Sequence, residues 1–392
     1  MVHLGSIPGG GTKATNFDMT NKYCALPFNH VNVNPRGDYQ VCCEHPVPAE
    51  HRQNIKFVSH SEWQNNQYLK EVQTSFEQGL EHPGCNACWQ QEKSNVSSLR
   101  QVQAQEYRIL GAKPFQQKLL NVELSVGNLC NLTCIMCDEE SSSAILSENR
   151  RLNITTSAQQ DFTWSDTAFD HLEQILATAP RVVNLRGGEP MYNKKILDIV
   201  NKFSDQQLNS TMLHLSTNAT RWSDEWEAAL RKFRLVRIML SVDSVGALFE
   251  YIRYPADFSQ VEENIKKIVS NSNIKPVIHA TVQNLNILSI GKLVQWAHDM
   301  DIHLMMDLLA YPKHLQITNL PDHLKRQAID HLEQTLNLEL ESHIRDSLTQ
   351  YKNVLKSALE SPMDHKMWQF FVDWISLRDN VRANSHKEFL KY

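Results

Sequence analysis

The chain has 392 residues, of which 41% are hydrophobic and 21% are charged, and this length predicts two or three domains. No apolar run approaches the length of about 20 residues that a membrane-spanning helix needs, and 44 acidic residues against 39 Lys and Arg give no positive field for nucleic acid. The N-terminus carries no basic and apolar signal segment, so we expect a cytoplasmic protein with reduced thiols.

The first part of the chain is predicted to form a flexible tail at residues 1–20 and a small separate domain at residues 21–115. The small domain holds five of the eight cysteines, a hairpin-like segment around Gly37 and a helical segment at residues 61–79. Clustered cysteines in a chain with reduced thiols favour metal or cluster binding over disulfides.

Residues 116–320 alternate apolar strand-like runs with helical patterns, which predicts a parallel sheet covered by helices. The predicted strands are 118–126, 181–187, 211–218, 235–243, 275–283 and 302–310, and the helices between them are 166–178, 193–203, 224–232, 258–269 and 289–298. Six such strands predict an α/β fold with a partial (β/α)6 TIM-like barrel, whose functional residues lie at the C-terminal strand ends. Residues 321–392 are predicted to form a helical C-terminal extension, because their apolar residues recur every three or four positions.

A loop with three cysteines follows the first predicted barrel strand. Cys130, Cys134 and Cys137 have the spacing C-x3-C-x2-C. Three thiolates can hold three irons of a [4Fe-4S] cube and leave the fourth iron open, whereas a structural zinc loop, the alternative, takes four ligands. The spacing and its position resemble the radical S-adenosylmethionine (SAM) superfamily. The resemblance implies that the open iron chelates SAM, that the reduced cluster cleaves SAM to a 5′-deoxyadenosyl radical, and that Met136 lies against the adenine.

Polar residues at the ends of the following strands match other motifs of this family. Gly187, Gly188 and Glu189, with Pro190, match the GGEP motif, which implies a turn that holds the SAM ammonium group. Further contacts to SAM or substrate are implied for Asn218, Ser241, Asp243 and Arg253, the last towards the SAM carboxylate. Ala219 and Ser244 stand where the family has glycines.

The N-terminal cysteines form a second group. Cys24 and Cys42 flank Gly37 with the spacing C-x12-G-x4-C, and Cys85 and Cys88 form a C-x2-C pair. The first spacing resembles the opening of SPASM domains, and five cysteines instead of seven resemble the half-sized twitch domain, although both usually follow the barrel and here the cysteines precede it. The resemblance implies an auxiliary [4Fe-4S] cluster on Cys24, Cys42, Cys85 and Cys88. A zinc ion on the same four thiols is the alternative.

Cys43 is the fifth N-terminal cysteine. We expect it to point away from the cluster, because successive strand residues face opposite sides. A role as a thiol hydrogen donor is the alternative.

Together these resemblances imply a radical SAM oxidoreductase or maturase that abstracts hydrogen from a peptide, a sugar or a small metabolite, for oxidation or bond formation. An electron donor such as flavodoxin or ferredoxin is the expected partner, and nucleic acid and membranes are not. Two alternatives remain open, a radical epimerase with a thiol hydrogen donor and a non-enzymatic iron-sulfur or zinc-binding protein.

Overall fold

A computed structural model describes residues 22–94, 96–154 and 162–391, so the tail predicted at residues 1–20 lies outside the described residues. The chain divides into two compact units. Among the described residues, the first contains 22–94, 96–128, 162–187 and 201–213, and the second contains 129–154, 188–200 and 214–391. The domain boundaries at residues 115 and 320 stay predictions.

The strands of the described residues form one mostly parallel sheet in the order β2-β1-β3-β4-β5-β6-β7-β8. They are β1 (His30–Val33), β2 (Tyr39–Gln40), β3 (Asn121–Ser125), β4 (Val182–Arg186), β5 (Met212–Thr217), β6 (Val236–Ser241), β7 (Ile274–Val282) and β8 (His303–Leu308). The six predicted strands are all present as β3 to β8. The predicted α/β class is therefore confirmed.

Sixteen α-helices lie in the described part of the chain. They are α1 (Leu26–Asn29), α2 (His60–Trp63), α3 (Gln67–Glu77), α4 (Asn86–Lys93), α5 (Leu99–Ile109), α6 (Ser143–Arg151), α7 (Asp166–Ala177), α8 (Lys194–Asn201), α9 (Asp205–Ser210), α10 (Asp224–Arg231), α11 (Gly246–Ile252), α12 (Phe258–Val269), α13 (Ile290–Asp299), α14 (Asp322–Leu336), α15 (Ser342–Leu359) and α16 (His365–Arg382). None of these helices is long and apolar enough to cross a membrane.

In the first unit, the predicted hairpin is present and extends the sheet. β1 pairs antiparallel with β2 and parallel with β3, and β3 pairs parallel with β4. Val31 and Val33 of β1 are fully buried, like Val122 and Leu124 of β3. The segment predicted as a separate small domain thus contributes two strands to the sheet, because β1 is apolar enough to pack as an inner strand.

In the second unit, β6, β7 and β8 pair in parallel and lead into the C-terminal helices. The apolar stripes of α14, α15 and α16 are largely buried, as the periodicity predicts; Leu336 and Trp368 are half-buried, and the buried members are Leu324, Ala328, Leu332, Ile344, Leu348, Tyr351, Leu355, Phe371 and Ile375. The hydroxyl of Tyr351 donates a hydrogen bond of 2.7 Å to the carbonyl of Met306 in β8. The helical C-terminal region is therefore part of the core of this unit.

Candidate functional site

The three-cysteine loop lies between Val126 and α6 and is held by backbone hydrogen bonds. In the second unit, the amide of Thr133 donates to the carbonyl of Tyr254 at 2.7 Å, and the amide of Ile135 donates to the carbonyl of Ile252 at 2.8 Å. Ser142 caps α6 by accepting from the amide of Ile145, and its hydroxyl donates to the carbonyl of Leu132 at 2.6 Å. A loop without regular structure is thus fixed in its middle and at its C-terminal end.

The thiols of the loop interact with one another. Cys134 is 4% exposed, and Cys130 and Cys137 are half-buried. A hydrogen bond with the Cys137 side chain lowers the pKa of Cys134, and the charge of Arg253 acts in the same direction. Burial raises the pKa of Cys130 to about 11. The loop thus offers three neighbouring thiols as metal ligands, and the thiolate form is favoured at Cys134. These residues fit a cluster that binds through three cysteines.

Arg253 brings a positive charge to this loop. Its Nε lies 2.7 Å from Oδ2 of Asp243, and its Nη1 donates to Sγ of Cys134 at 3.8 Å. Asp243 is fully buried, and its other oxygen accepts from the amide of Thr281 at 2.8 Å. Burial works against the charge of Arg253, but Asp243 and Cys134 offset it, so the pKa of Arg253 is raised. Arg253 therefore places a charged guanidinium, paired with Asp243, beside the Cys134 thiol.

Glu189 of the GGEP motif is buried, and its carboxylate accepts three hydrogen bonds. Its carboxylate accepts from the Thr217 hydroxyl at 2.8 Å, from the Asn218 amide at 2.6 Å and from the Met191 amide at 3.1 Å. Burial raises the pKa of Glu189 to about 7, although these hydrogen bonds favour its charged form. The carboxylate thus joins the GGEP turn to the end of β5.

A steric constraint explains why the residue at position 187, before this turn, is glycine. Gly187 has φ +92°, and a Cβ atom there would lie 2.7 Å from the carbonyl carbon of Ser125 and from the amide nitrogen of Val126. Any other residue would clash with the backbone at the end of β3. Gly188 also has positive φ.

The remaining predicted contact residues lie at the strand ends or in the cysteine loop. The Asn218 side chain donates to Oδ1 of Asn131 in the cysteine loop at 3.0 Å. Ser241 is half-buried at the last position of β6, and Met136 is half-buried in the loop. Ala219, which stands where the family has a glycine, adopts φ +56°, in the left-handed region that favours glycine.

Arg382 at the end of α16 contacts the same loop, and the sequence interpretation missed it. Its Nη2 donates to the carbonyl of Thr133 at 2.7 Å, and Nε and Nη2 donate to the two oxygens of Glu148 in α6, both at 2.8 Å. Arg382 is 5% exposed and Glu148 is 1% exposed. One signal was available in the sequence, because Arg378 and Arg382 continue the buried stripe that Phe371 begins.

The N-terminal cysteines lie around one pocket in the first unit. Cys24, Cys42, Cys85 and Cys88 all line it, together with His45 and Arg100. Cys43 is exposed, and the described residues that line the pocket do not include it. The structure therefore brings together the four thiols that the twitch resemblance selects.

Local structure explains how the four thiols reach this pocket. Cys42 follows β2 of the hairpin, whose turn is closed by Asn34, since its side-chain oxygen accepts from the amides of Arg36 and Asp38. Cys85 immediately precedes α4, and Cys88 lies about one turn further along, inside that helix. Burial raises the pKa of Cys24 and of Cys85 to about 12.

Arg100 and two histidines complete the surroundings. Arg100 is buried, and its Nε donates to Glu92 at 2.9 Å and its Nη1 to the carbonyl of Tyr23 at 2.8 Å. Nδ1 of His45 lies 3.4 Å from Sγ of Cys85, and ligand atoms of His45, His82 and Cys85 all lie within 4.8 Å of one another. Four thiols fit a cube, whereas Cys85 with the histidines also fits a single metal ion.

A family model described as the radical SAM superfamily matches residues 124–288. This part of the chain is therefore similar to the radical SAM superfamily. The predicted use of a [4Fe-4S] cluster and SAM is confirmed at the level of this family, and the auxiliary twitch-like cluster stays a prediction.

Among curated proteins, similarity is low and partial. GTP 3′,8-cyclase of Nitrobacter winogradskyi is 25% identical over 199 residues, which cover 49% of this chain and 53% of the cyclase. A probable GTP 3′,8-cyclase of Methanocaldococcus jannaschii is 22% identical over 186 residues, which cover 47% of this chain and 57% of the relative. The chain thus spans about half the length of the curated relatives it matches.

Among solved structures, the likeness to Streptococcus suis SuiB bound to S-adenosylmethionine has a TM-score of 0.40 at 14% identity, over 68% of this chain and 59% of SuiB. The likeness to native anSMEcpe with bound AdoMet has a TM-score of 0.39 at 18% identity, over 55% of this chain and 59% of that chain. Scores of this size carry no argument about substrate.

We expect Arg382→Met to lower both the free energy of unfolding and the iron content of the reconstituted protein. The substitution leaves Glu148 buried without its main cation, and breaking a buried ion pair in this way costs about 3–5 kcal/mol. It also removes the hydrogen-bond donor to the carbonyl of Thr133. Chemical denaturation and the iron content of the reconstituted protein measure both effects. Arg326→Met, at an exposed position of α14, is the matched control. Equal unfolding midpoints and iron contents in the two variants would contradict this role.

For the N-terminal pocket we expect alanine at Cys24, Cys42, Cys85 or Cys88 to remove about four irons per chain, the content of one cube. Cys43→Ala is a matched control beside Cys42, and it should keep the full content because Cys43 is exposed. Anaerobic reconstitution followed by metal analysis makes the comparison. Zinc instead of iron in the pocket, or loss of the cluster in Cys43→Ala, would show that the ligand set is wrong.

Proposed function

We propose that this protein cleaves SAM reductively and uses the resulting radical to abstract hydrogen from a peptide, a sugar or a small metabolite. The observation that carries the proposal is the grouping of Cys130, Cys134 and Cys137 beside the buried Arg253–Asp243 pair. This arrangement offers three iron ligands and compensating positive charge in a region largely withdrawn from water. A radical enzyme needs such protection because water and stray hydrogen donors quench its intermediates.

A [4Fe-4S] cluster held by these three cysteines would supply the electron that converts SAM to methionine and a 5′-deoxyadenosyl radical. The residues of the chain then have separate tasks. Arg253 and Arg382 both place positive charge near Cys134 and stabilise its thiolate. Because Asp243 already holds Nε of Arg253, the SAM carboxylate would have to share this cation with Asp243.

SAM itself would be positioned by the strand ends. Gly187 and Gly188 let the backbone approach the ligand, and Glu189 supplies a buried acceptor for the SAM ammonium group. Asn218 and Ser241 are proposed as further polar contacts, and Met136 as the apolar contact to the adenine. The carboxylate of Glu189 already accepts a hydrogen bond from the backbone amide of Asn218, so a group bound to one of these residues would affect the position of the other.

The N-terminal pocket is proposed to hold an auxiliary [4Fe-4S] cluster that accepts an electron from the substrate. A cube with four thiolate ligands has no open iron for substrate, but it can change its oxidation state. A substrate that loses a hydrogen atom to the adenosyl radical must then lose one electron and one proton to become a stable product. The net reaction would be a two-electron oxidation, either dehydrogenation or bond formation, with flavodoxin or ferredoxin as the donor of the first electron.

Conversion of GTP is a second candidate, because sequence similarity to GTP 3′,8-cyclases covers about half of this chain. Incubating the reduced, reconstituted protein with SAM and GTP tests it directly. A cyclised nucleotide product would support this candidate, and unchanged GTP with continued SAM cleavage would exclude it.

Replacing Cys130, Cys134 and Cys137 together by alanine should abolish 5′-deoxyadenosine formation, because no iron would remain open to SAM. The measurement is chromatography of the products after anaerobic reconstitution and dithionite reduction. Cys43→Ala, which alters an exposed thiol, should still form 5′-deoxyadenosine. Undiminished 5′-deoxyadenosine from the triple variant would overturn the proposed function.

The oxidation and epimerisation hypotheses predict different products in deuterated solvent. Oxidation gives a product two hydrogens lighter without solvent deuterium, since the substrate radical loses an electron. Epimerisation through a thiol gives an intact product with one deuterium at the inverted carbon. This deuterium incorporation is expected to be lost in Cys43→Ala. Mass spectrometry of the product separates the two, and the second pattern would contradict the proposed electron transfer.

A further inference from the structure

Three metal-binding side chains meet in the second unit outside the cysteine sites. His303 opens β8, Glu341 lies at the N-cap position of α15, and His343 is the second residue of that helix. One ligand atom from each lies within 4.8 Å of the other two. Nδ1 of His343 lies 3.4 Å from Oε2 of Glu341, and Nδ1 of His303 lies 3.6 Å from the same oxygen.

The tautomer of His343 is fixed by the backbone. Its Nε2 lies 2.9 Å from the carbonyl oxygen of Leu304, and a carbonyl oxygen can only accept, so Nε2 carries the hydrogen. The lone pair of the neutral ring is therefore on Nδ1, which faces the carboxylate oxygen of Glu341. Two acceptors at this distance repel each other unless a positive charge lies between them.

A proton on each histidine does not suit this cluster well. The ring centroids of His303 and His343 are only 4.5 Å apart, so two imidazolium ions would repel each other. Nδ1 of His303 and Nδ1 of His343 lie 3.6 and 3.4 Å from the same oxygen of Glu341, so a single cation placed among the three atoms is within reach of both rings.

The geometry points to a zinc site formed by Nδ1 of His303, Nδ1 of His343 and Oε2 of Glu341, with water at the fourth position. Zn–N and Zn–O bonds near 2.0–2.1 Å give ligand-to-ligand edges of roughly 3.3 Å in a tetrahedron. The separations of 3.4 and 3.6 Å from the Glu341 oxygen are close to that edge. The bond from His343 to a backbone carbonyl is also the usual outer contact of a metal-bound histidine.

The bound ion would connect the first residue of β8 to the first turn of α15. Its role is structural. The hydrogen bond from His343 to Leu304 already joins the start of the strand to the start of the helix, and the ion would add a second link. The site is independent of the proposed radical chemistry.

The test uses the anaerobically reconstituted protein with its iron-sulfur clusters in place. Zinc is added, excess is removed by gel filtration, and bound zinc is measured by mass spectrometry for wild type, Glu341→Gln and His343→Ala. We expect wild type to hold one zinc per chain more than either variant, and zinc to raise the thermal unfolding midpoint of wild type but of neither variant. His323→Ala, at an exposed histidine of α14, is the matched control and should bind as wild type does.

Zinc that occupies any cysteine site without a cluster would be equal in all four proteins, so the difference reports this site alone. Cobalt(II) provides a second readout, because its visible bands distinguish nitrogen and oxygen ligands from thiolates. Glu341 is more than half exposed, so Glu341→Gln should fold even if His343→Ala does not. Equal zinc in wild type and Glu341→Gln, with cobalt bands from thiolates only, would overturn the proposal.

Discussion

The structure of the second unit depends on burying charges in pairs around the three-cysteine loop. A guanidinium or carboxylate withdrawn from water is costly unless it has a partner. Arg253 pairs with Asp243, and Arg382 pairs with Glu148. Each arginine then uses a remaining N–H group on the loop, at Sγ of Cys134 or at the carbonyl of Thr133. The loop is thus placed by polar contacts from two separate helical segments.

The same principle connects the loop to the strand ends. Glu189 is buried and accepts hydrogen bonds from residues at the end of β5, while Asn218 donates to Asn131 in the loop. A displacement of the loop would therefore break contacts at β5, and a displacement of the GGEP turn would do the same. A site that must exclude water during radical chemistry benefits from this mutual fixation, because no member can move without exposing a buried polar group.

The sequence was sufficient for the local features and insufficient for those that join distant segments. Apolar periodicity predicted β3 to β8 and the C-terminal helices, and cysteine spacing selected four thiols that the structure places around one pocket. The pairing of β1 with β3 could not be read from the sequence, because a short apolar run does not specify its neighbour. The contact of Arg382 with Thr133 joins residues at opposite ends of the second unit's sequence. Helical periodicity predicts that Arg382 lies on the buried face of α16, but it does not predict which residues pack against that face.

We propose that the three-cysteine loop holds a cluster whose open iron binds SAM. Electron paramagnetic resonance of the dithionite-reduced, reconstituted protein, recorded before and after addition of SAM, tests it most directly. We expect SAM to shift the g-values of one cluster signal, the one that is missing when Cys130, Cys134 and Cys137 are replaced, and to leave any remaining iron-sulfur signal unchanged. A cluster spectrum that saturating SAM does not alter would contradict it.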